Sequence, residues 1–294
     1  MNKSLVVLFV VLSVVACTES NPPIDCGDSD LVVLKDTCYM QSESNIPDAD
    51  YRGVLIEDLT GVRCVACPNA ADAAASIKEN ATTNKVVVLG LYPNDPKSFT
   101  TPQKDFPDLR TDAAQLIGTN IFDFSNLLPA GGVNRKVFSG ETSVNSGYAT
   151  WANKANSFEG ERSIVNIDLS KEFVDDSTLN IEGVFSFTNS SDYNPFVSIF
   201  ILENGIKHPQ YYSGGTDYDY IHKHVVRKAI TPYNGSPLLN GDCTLAERGT
   251  VVEKGWQIII PSNIILENAS VVVLINYNAG NSKEVIQCVE LKLK

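Results

Sequence analysis

Positive charge is scarce in this chain of 294 residues. Lysine and arginine total 23 against 35 aspartates and glutamates, a formal net charge of -12. Such a chain repels the phosphates of nucleic acid, and it offers no polybasic patch to anionic lipid. Because the acidic residues are dispersed, they read as a solvated surface. Long apolar runs are nearly absent too. Leu5 to Val15 is the exception, and at about ten residues it is too short to span a bilayer. Histidine is rare, with three copies. No internal repeat, extended low-complexity tract, Ser-His-Asp set, phosphate-cradling glycine loop or paired-carboxylate motif stands out. Hydrolytic and nucleotide chemistry therefore lack a candidate centre.

The short apolar run follows Lys3 and has the length of a secretory h-region. It ends in Val-Val-Ala-Cys, a small residue directly before Cys17. That ending resembles the lipobox of bacterial lipoproteins. The resemblance implies a signal peptide over residues 1–16 and a membrane anchor of lipid chains on Cys17. Glu19 faintly resembles an acidic surface-export signal, too weakly to separate periplasm from cell surface.

Export changes the meaning of the other cysteines, Cys26, Cys38, Cys64, Cys67, Cys243 and Cys288. An even number in an oxidising compartment reads as disulfides, and six permit fifteen pairings. The simplest is local: Cys26 with Cys38, Cys64 with Cys67, and Cys243 with Cys288. On that pairing Cys288, which alternates with Glu290 and Lys292, lies toward a sheet surface.

Residues 17–50 are polar and read as a tether with a small cysteine-closed loop. Residues 51–162 alternate strand-like and helix-like segments. Strands are expected at RGVLIEDL, KVVVLGLY and GGVNRKVF, and helices at PNAADAAASIKENA, PDLRTDAAQLIG and SGYATWANKANSF. That order means an α/β layer. Over residues 163–294 the hydrophobic period switches to two, with seven strand candidates and turn signals such as Asn234-Gly235, which suggests an antiparallel β-sandwich.

Cys64 and Cys67 lie between a strand and a helix with Pro68 in its first turn. A strand feeding C-x-x-C at a helix start is similar to the thioredoxin arrangement. The positive end of the helix dipole favours a thiolate there. Cys64 would be the exposed, attacking cysteine and Cys67 the buried, resolving one. Zinc sites share this spacing and need two more ligands. His222 and His224 are the candidates, as alternate residues of one strand; surface or interface polar groups are the plainer reading, and no metal is assigned. Pro129 precedes a strand, where thioredoxin-like folds carry a cis-proline, so the resemblance assigns substrate-backbone contact to Leu128 and shielding of the sulfurs to Pro129. Glu57 and Asp58 are neighbours on opposite strand faces. Two readings stand for them: one is the buried acid that some thioredoxin folds place beneath the resolving cysteine, or it is a plain strand-edge charge. The intervening Val65-Ala66 adds no charge to a thiolate, and Arg63 helps only if its side chain turns inward.

Together VLIEDLTGVRCVACP, LPAGGVNR and YIHKHVVRKA, behind a lipobox, resemble the outer membrane protein 28-related family of the Bacteroidetes. The resemblance implies a thioredoxin-like domain followed by a β-rich domain, at the outer membrane. It implies no proven reaction. Three functions follow as expectations, none needing a cofactor. The first is thiol-disulfide exchange on exported or outer-membrane proteins. The second is a binding module with a structural Cys64–Cys67 bridge and a β-sandwich that engages a protein or glycan. The third is metal handling by Cys64, Cys67, His222 and His224.

Overall fold

The computed structural model describes residues 31–94, 98–125, 127–280 and 282–294. Cys17 and Cys26, with the expected signal peptide and lipidation site, lie outside these residues. The described chain is mostly β, with few helices.

The elements run in order as β1 (Val32–Met40), β2 (Val54–Leu59), α1 (Cys67–Asn80), β3 (Val86–Leu91), α2 (Asp112–Asn120), β4 (Ala130–Val133) and α3 (Trp151–Asn156). Then come β5 (Val165–Phe173), β6 (Thr178–Phe187), β7 (Pro195–Glu203), β8 (Ile206–Lys207), β9 (Gln210–Tyr212), β10 (Gly215–Asp217) and β11 (Ile221–His222). The last are β12 (Val225–Ala229), β13 (Ser236–Pro237), β14 (Thr250–Ile259), β15 (Ala269–Tyr277) and β16 (Val285–Lys292).

Two main sheets form. The smaller is antiparallel in the order β1-β14-β6-β5. The larger is mixed, in the order β16-β15-β7-β12-β3-β2-β4, with β13 beside β7. In it β3 is parallel to both β2 and β12. Every residue of β2 and of β3 is buried, because the large sheet is covered on both faces there. On one face α1 buries Cys67, Ala70 and Ala74, a helical spacing of mostly small side chains that brings the helix close to the strands. Val54, Ile56, Val86 and Val88 meet it, with Trp151 and Phe158 alongside. On the other face Leu55, Leu59, Leu89 and Leu91 pack with Ile117 of α2. Thr111 starts α2 by accepting the Ala114 N–H at 3.1 Å.

Several expectations need correction. The tether is shorter than 17–50, because Val32–Met40 pairs along its length with β14 as an edge strand. Neither is residue 162 a boundary between sheets. β7, β12, β15 and β16 continue the sheet begun by β2 and β3. Phe200, Leu202, Val226, Val272 and Leu274 share one core with Leu55 and Leu89. The opposite faces of β7 and β15 pack on the small sheet through Ile199, Ile201, Val271, Val273, Ile181 and Phe185. The strand expected over GGVNRKVF stops at Val133, since Asn134 and Arg135 take positive φ, 49° and 48°. The strand over YIHKHVVRKAI breaks at His224, at φ 56°.

The disulfide pairing also differs. Cys38 is bonded to Cys243, with Cα atoms 5.9 Å apart. The loop after β13 folds back on the β1 edge, where the Asn240 amide donates to the Asp36 carbonyl and carboxylate at 3.0 Å. Cys288 is a free thiol, 1% exposed. Its strand face is covered: a Cβ added to Gly53 would stand 2.7 Å from its sulfur, so glycine is required at that crossing. Burial pushes the Cys288 thiol up to about 12.

Candidate functional site

β2 ends at Leu59, and the chain turns through Gly61 into the cysteine loop. A side chain at Gly61 would collide with the Phe99 carbonyl, at 2.6 Å, and press on Leu128. Cys64 and Cys67 are bonded, Cα to Cα 5.4 Å, with Cys67 opening α1. The Leu128–Pro129 peptide is cis and directly precedes β4, whose Ala130 pairs with Leu59. Leu128 and the cysteine loop therefore leave the sheet at the same end of β2, where the Leu128 side chain fills the space a Gly61 side chain would need.

The expected exposure of Cys64 needs correction: it is 3% exposed and Cys67 1%, while Val65 between them stands 54% exposed. What covers Cys64 is an excursion between β7 and β12, running through β8, β9, β10 and β11. β8 pairs with β11 and β9 with β10. The buried Gln210 amide donates to the carbonyls of Cys64 at 3.0 Å and Gly61 at 3.2 Å. The Tyr211 N–H donates to the Val62 carbonyl at 2.9 Å. Nothing in the sequence around Gln210 marked this role. Arg63 turns away from the sulfurs and donates to the carbonyls of Thr101 and Pro102, at 2.9 and 3.1 Å.

Glu57 and Asp58 take opposite parts, as neighbours in a strand must. Glu57 receives a two-pronged hydrogen bond from Arg135, at 2.8 and 2.7 Å, with both side chains 1% exposed. Asp58 is buried without a counter-charge. Burial raises its carboxyl to about 8, and its Oδ1 has no hydrogen-bond partner in the protein. It lines a cavity of about 320 Å³ together with Cys67, Asp72, Tyr92, Tyr220, His222 and His224.

The histidines are not arranged for a metal. His222 Nε2 donates to the His208 carbonyl at 3.0 Å, so Nδ1 accepts the Tyr92 hydroxyl proton at 2.7 Å. Burial lowers both His222 and His224 to about 4. Among the described residues no three histidine, cysteine or acidic side chains cluster with metal-binding geometry.

A family model described as Outer membrane protein Omp28 matches residues 119–294. This chain belongs to the Omp28 family. It is accordingly an outer-membrane protein, and among its described residues no helix is long and apolar enough to cross a membrane. The span matched to Omp28 contains the cis-proline, Arg135 and the covering excursion; the cysteine pair lies outside it. Comparison with curated proteins finds no match. Among solved structures, HBP35 of Porphyromonas gingivalis is similar at 15% identity, with a TM-score of 0.61 over 84% of this chain and 77% of that one. A domain of the outer membrane lipoprotein Omp28 from Porphyromonas gingivalis aligns at 15% identity and a TM-score of 0.31, over 45% of this chain and 89% of that one. The likeness to HBP35 is one of fold.

Proposed function

We propose that this Omp28-family protein is anchored by lipid on Cys17, has a thioredoxin-like N-terminal region, and exchanges disulfides with exported proteins through Cys64 and Cys67. The observation that carries the reading is a bonded cysteine pair at the start of α1, whose second member, Cys67, shares a cavity wall with an uncompensated, protonatable carboxyl, Asp58. The parallel β2 and β3, the antiparallel β4 and the cis Leu128–Pro129 peptide support it.

A partner thiolate attacks Cys64 Sγ, the Cys64–Cys67 bond breaks, and Cys67 leaves as a thiolate. Asp58, neutral near pH 7, supplies a proton at that end of the site. A second partner thiolate then attacks the partner's sulfur and frees Cys64, so two electrons pass to this chain and the partner gains a disulfide. In the reverse direction the Cys64 thiolate attacks a partner disulfide and Cys67 resolves the adduct. The Leu128 backbone beside the loop is the proposed contact for the partner strand, with Pro129 shielding the sulfurs.

In a reduced Cys67→Ala variant, Cys64 attacks but nothing resolves, so mixed disulfides accumulate in cells; Cys64→Ala traps nothing. A second reading, a structural bridge in a binding module whose β-rich region engages a protein or glycan, draws on the 3% exposure of Cys64 beneath Gln210. It requires that neither variant trap a partner and that the bridge have a potential below about -300 mV. For the anchor, Cys17→Ala should lose acyl labelling and leave the membrane fraction. Retention there would remove the lipid reading.

A further inference from the structure

We propose that the cavity behind the cysteine pair binds a small primary ammonium ligand. A proton relay to Cys67 needs one carboxyl. It does not need an open volume of about 320 Å³ walled by acceptors and aromatic rings. At its base Asp58, 3% exposed, carries the partnerless Oδ1. Tyr92 gives its proton to His222, so its oxygen is left to accept. The Nδ1 of His224 is buried and also partnerless. Asp72 of α1, itself an exposed residue, adds a second carboxylate, and Tyr220 and His222 present rings 4.7 Å apart. The Lys223 side chain is the one cation among the lining residues, and it belongs to an exposed residue.

A buried carboxyl, spare lone pairs and aromatic faces are the groups that recognise R–NH3+, whose three N–H donors would satisfy them. An anion would meet Asp58 and Asp72, and a purely apolar guest would leave the Asp58 oxygen unpaired. The cavity holds about ten times the volume share of one water, so a short alkylammonium fits with solvent beside it.

Asp58 also sets the pH dependence. Its carboxyl is raised to about 8, and an ammonium binds the ionised form. Below that value binding must expel the proton, so affinity should climb roughly tenfold from pH 6 to 7 and level off above 8. Of the other titratable groups facing the site, Tyr92, Tyr220, His222 and His224 are shifted by burial so that all stay neutral over this range, while Asp72 and Lys223 are exposed, which leaves the buried Asp58 to dominate.

The test is calorimetric titration of the oxidised, full-length protein with n-butylammonium, n-butanol and butyrate. We expect saturable binding of butylammonium alone, release of about one proton at pH 7, and a loss of at least about tenfold in Asp58→Asn. Proton release is read in the wild type by comparing two buffers, so it decides the matter even where the variant fails to fold. Absence of saturation, equal binding of butanol, preferred binding of butyrate, or binding without proton release would each overturn the proposal. None of these outcomes bears on disulfide exchange, which the trapping variants test separately.

Discussion

Removing one member of the Glu57–Arg135 pair should do more harm than removing both. Each side chain is 1% exposed, so Arg135→Met leaves a carboxylate buried without its partner. The expected loss is about 3–5 kcal/mol by urea unfolding, with a large part recovered in Glu57→Leu/Arg135→Met. Recovery that fails would mean the pair contributes net stability beyond compensating its own burial. Asp58 and His222 shape stability against pH in opposite ways. Asp58 rises on folding from 3.8 to about 8, so it destabilises the fold increasingly as pH climbs through that interval. His222 falls from 6.5 to about 4, so its contribution is full above 6.5 and is lost as pH drops toward 4. Asp58→Asn should therefore be more stable than wild type at pH 8, by up to a few kcal/mol, and indistinguishable near pH 4. Thermal melts at the two pH values check this.

The excursion through β8 to β11 sits on the cysteine loop by backbone and amide hydrogen bonds, with Gln210 at the centre. Gln210→Ala should speed reduction of the Cys64–Cys67 bridge by dithiothreitol about tenfold, the equivalent of roughly 1.4 kcal/mol of lost hydrogen bonding. An unchanged rate would mean that this segment does not restrict access. The excursion is also where sequence reasoning stops. β3 was legible because Val86, Val87, Val88 and Leu89 form an unbroken apolar run, and α1 because Pro68 and five alanines mark it. β1 escaped because side chains on both of its faces, Tyr39 and Met40 among them, stay exposed and no alternation survives between Lys35 and Cys38. The cover over Cys64 escaped because a glutamine donating to carbonyls 146 residues earlier has no local pattern. The Cys38–Cys243 bond escaped for the same reason: it spans 205 residues, and local pairings looked simpler.

Over the whole molecule, the two expected domains prove to share a core, and this makes neither half self-sufficient. A fragment covering 51–162 should show no cooperative unfolding transition, because Leu55, Leu89 and Leu91 lose Phe200, Leu202 and Leu274. A sharp transition in that fragment would show that the first half folds alone. Loss of the Cys38–Cys243 bond should cost up to about 5 kcal/mol by the chain-entropy model, read as a lower urea midpoint in Cys38→Ser/Cys243→Ser. Hydrogen exchange in that variant should quicken first along β1, which lies at the sheet edge.

The long-range cover has a consequence in time. The cysteines and the segment that shelters them are far apart along the chain, so during N-terminus-first translocation Cys64 meets the outside well before Gln210 arrives. For that interval the thiols are open to any oxidant, and they are enclosed afterwards. An export intermediate halted near residue 190 should react with a maleimide at Cys64, whereas the finished protein, its bridge first reduced, should react far more slowly. The order of emergence would then decide when the bridge is made, and the finished fold how seldom it is remade.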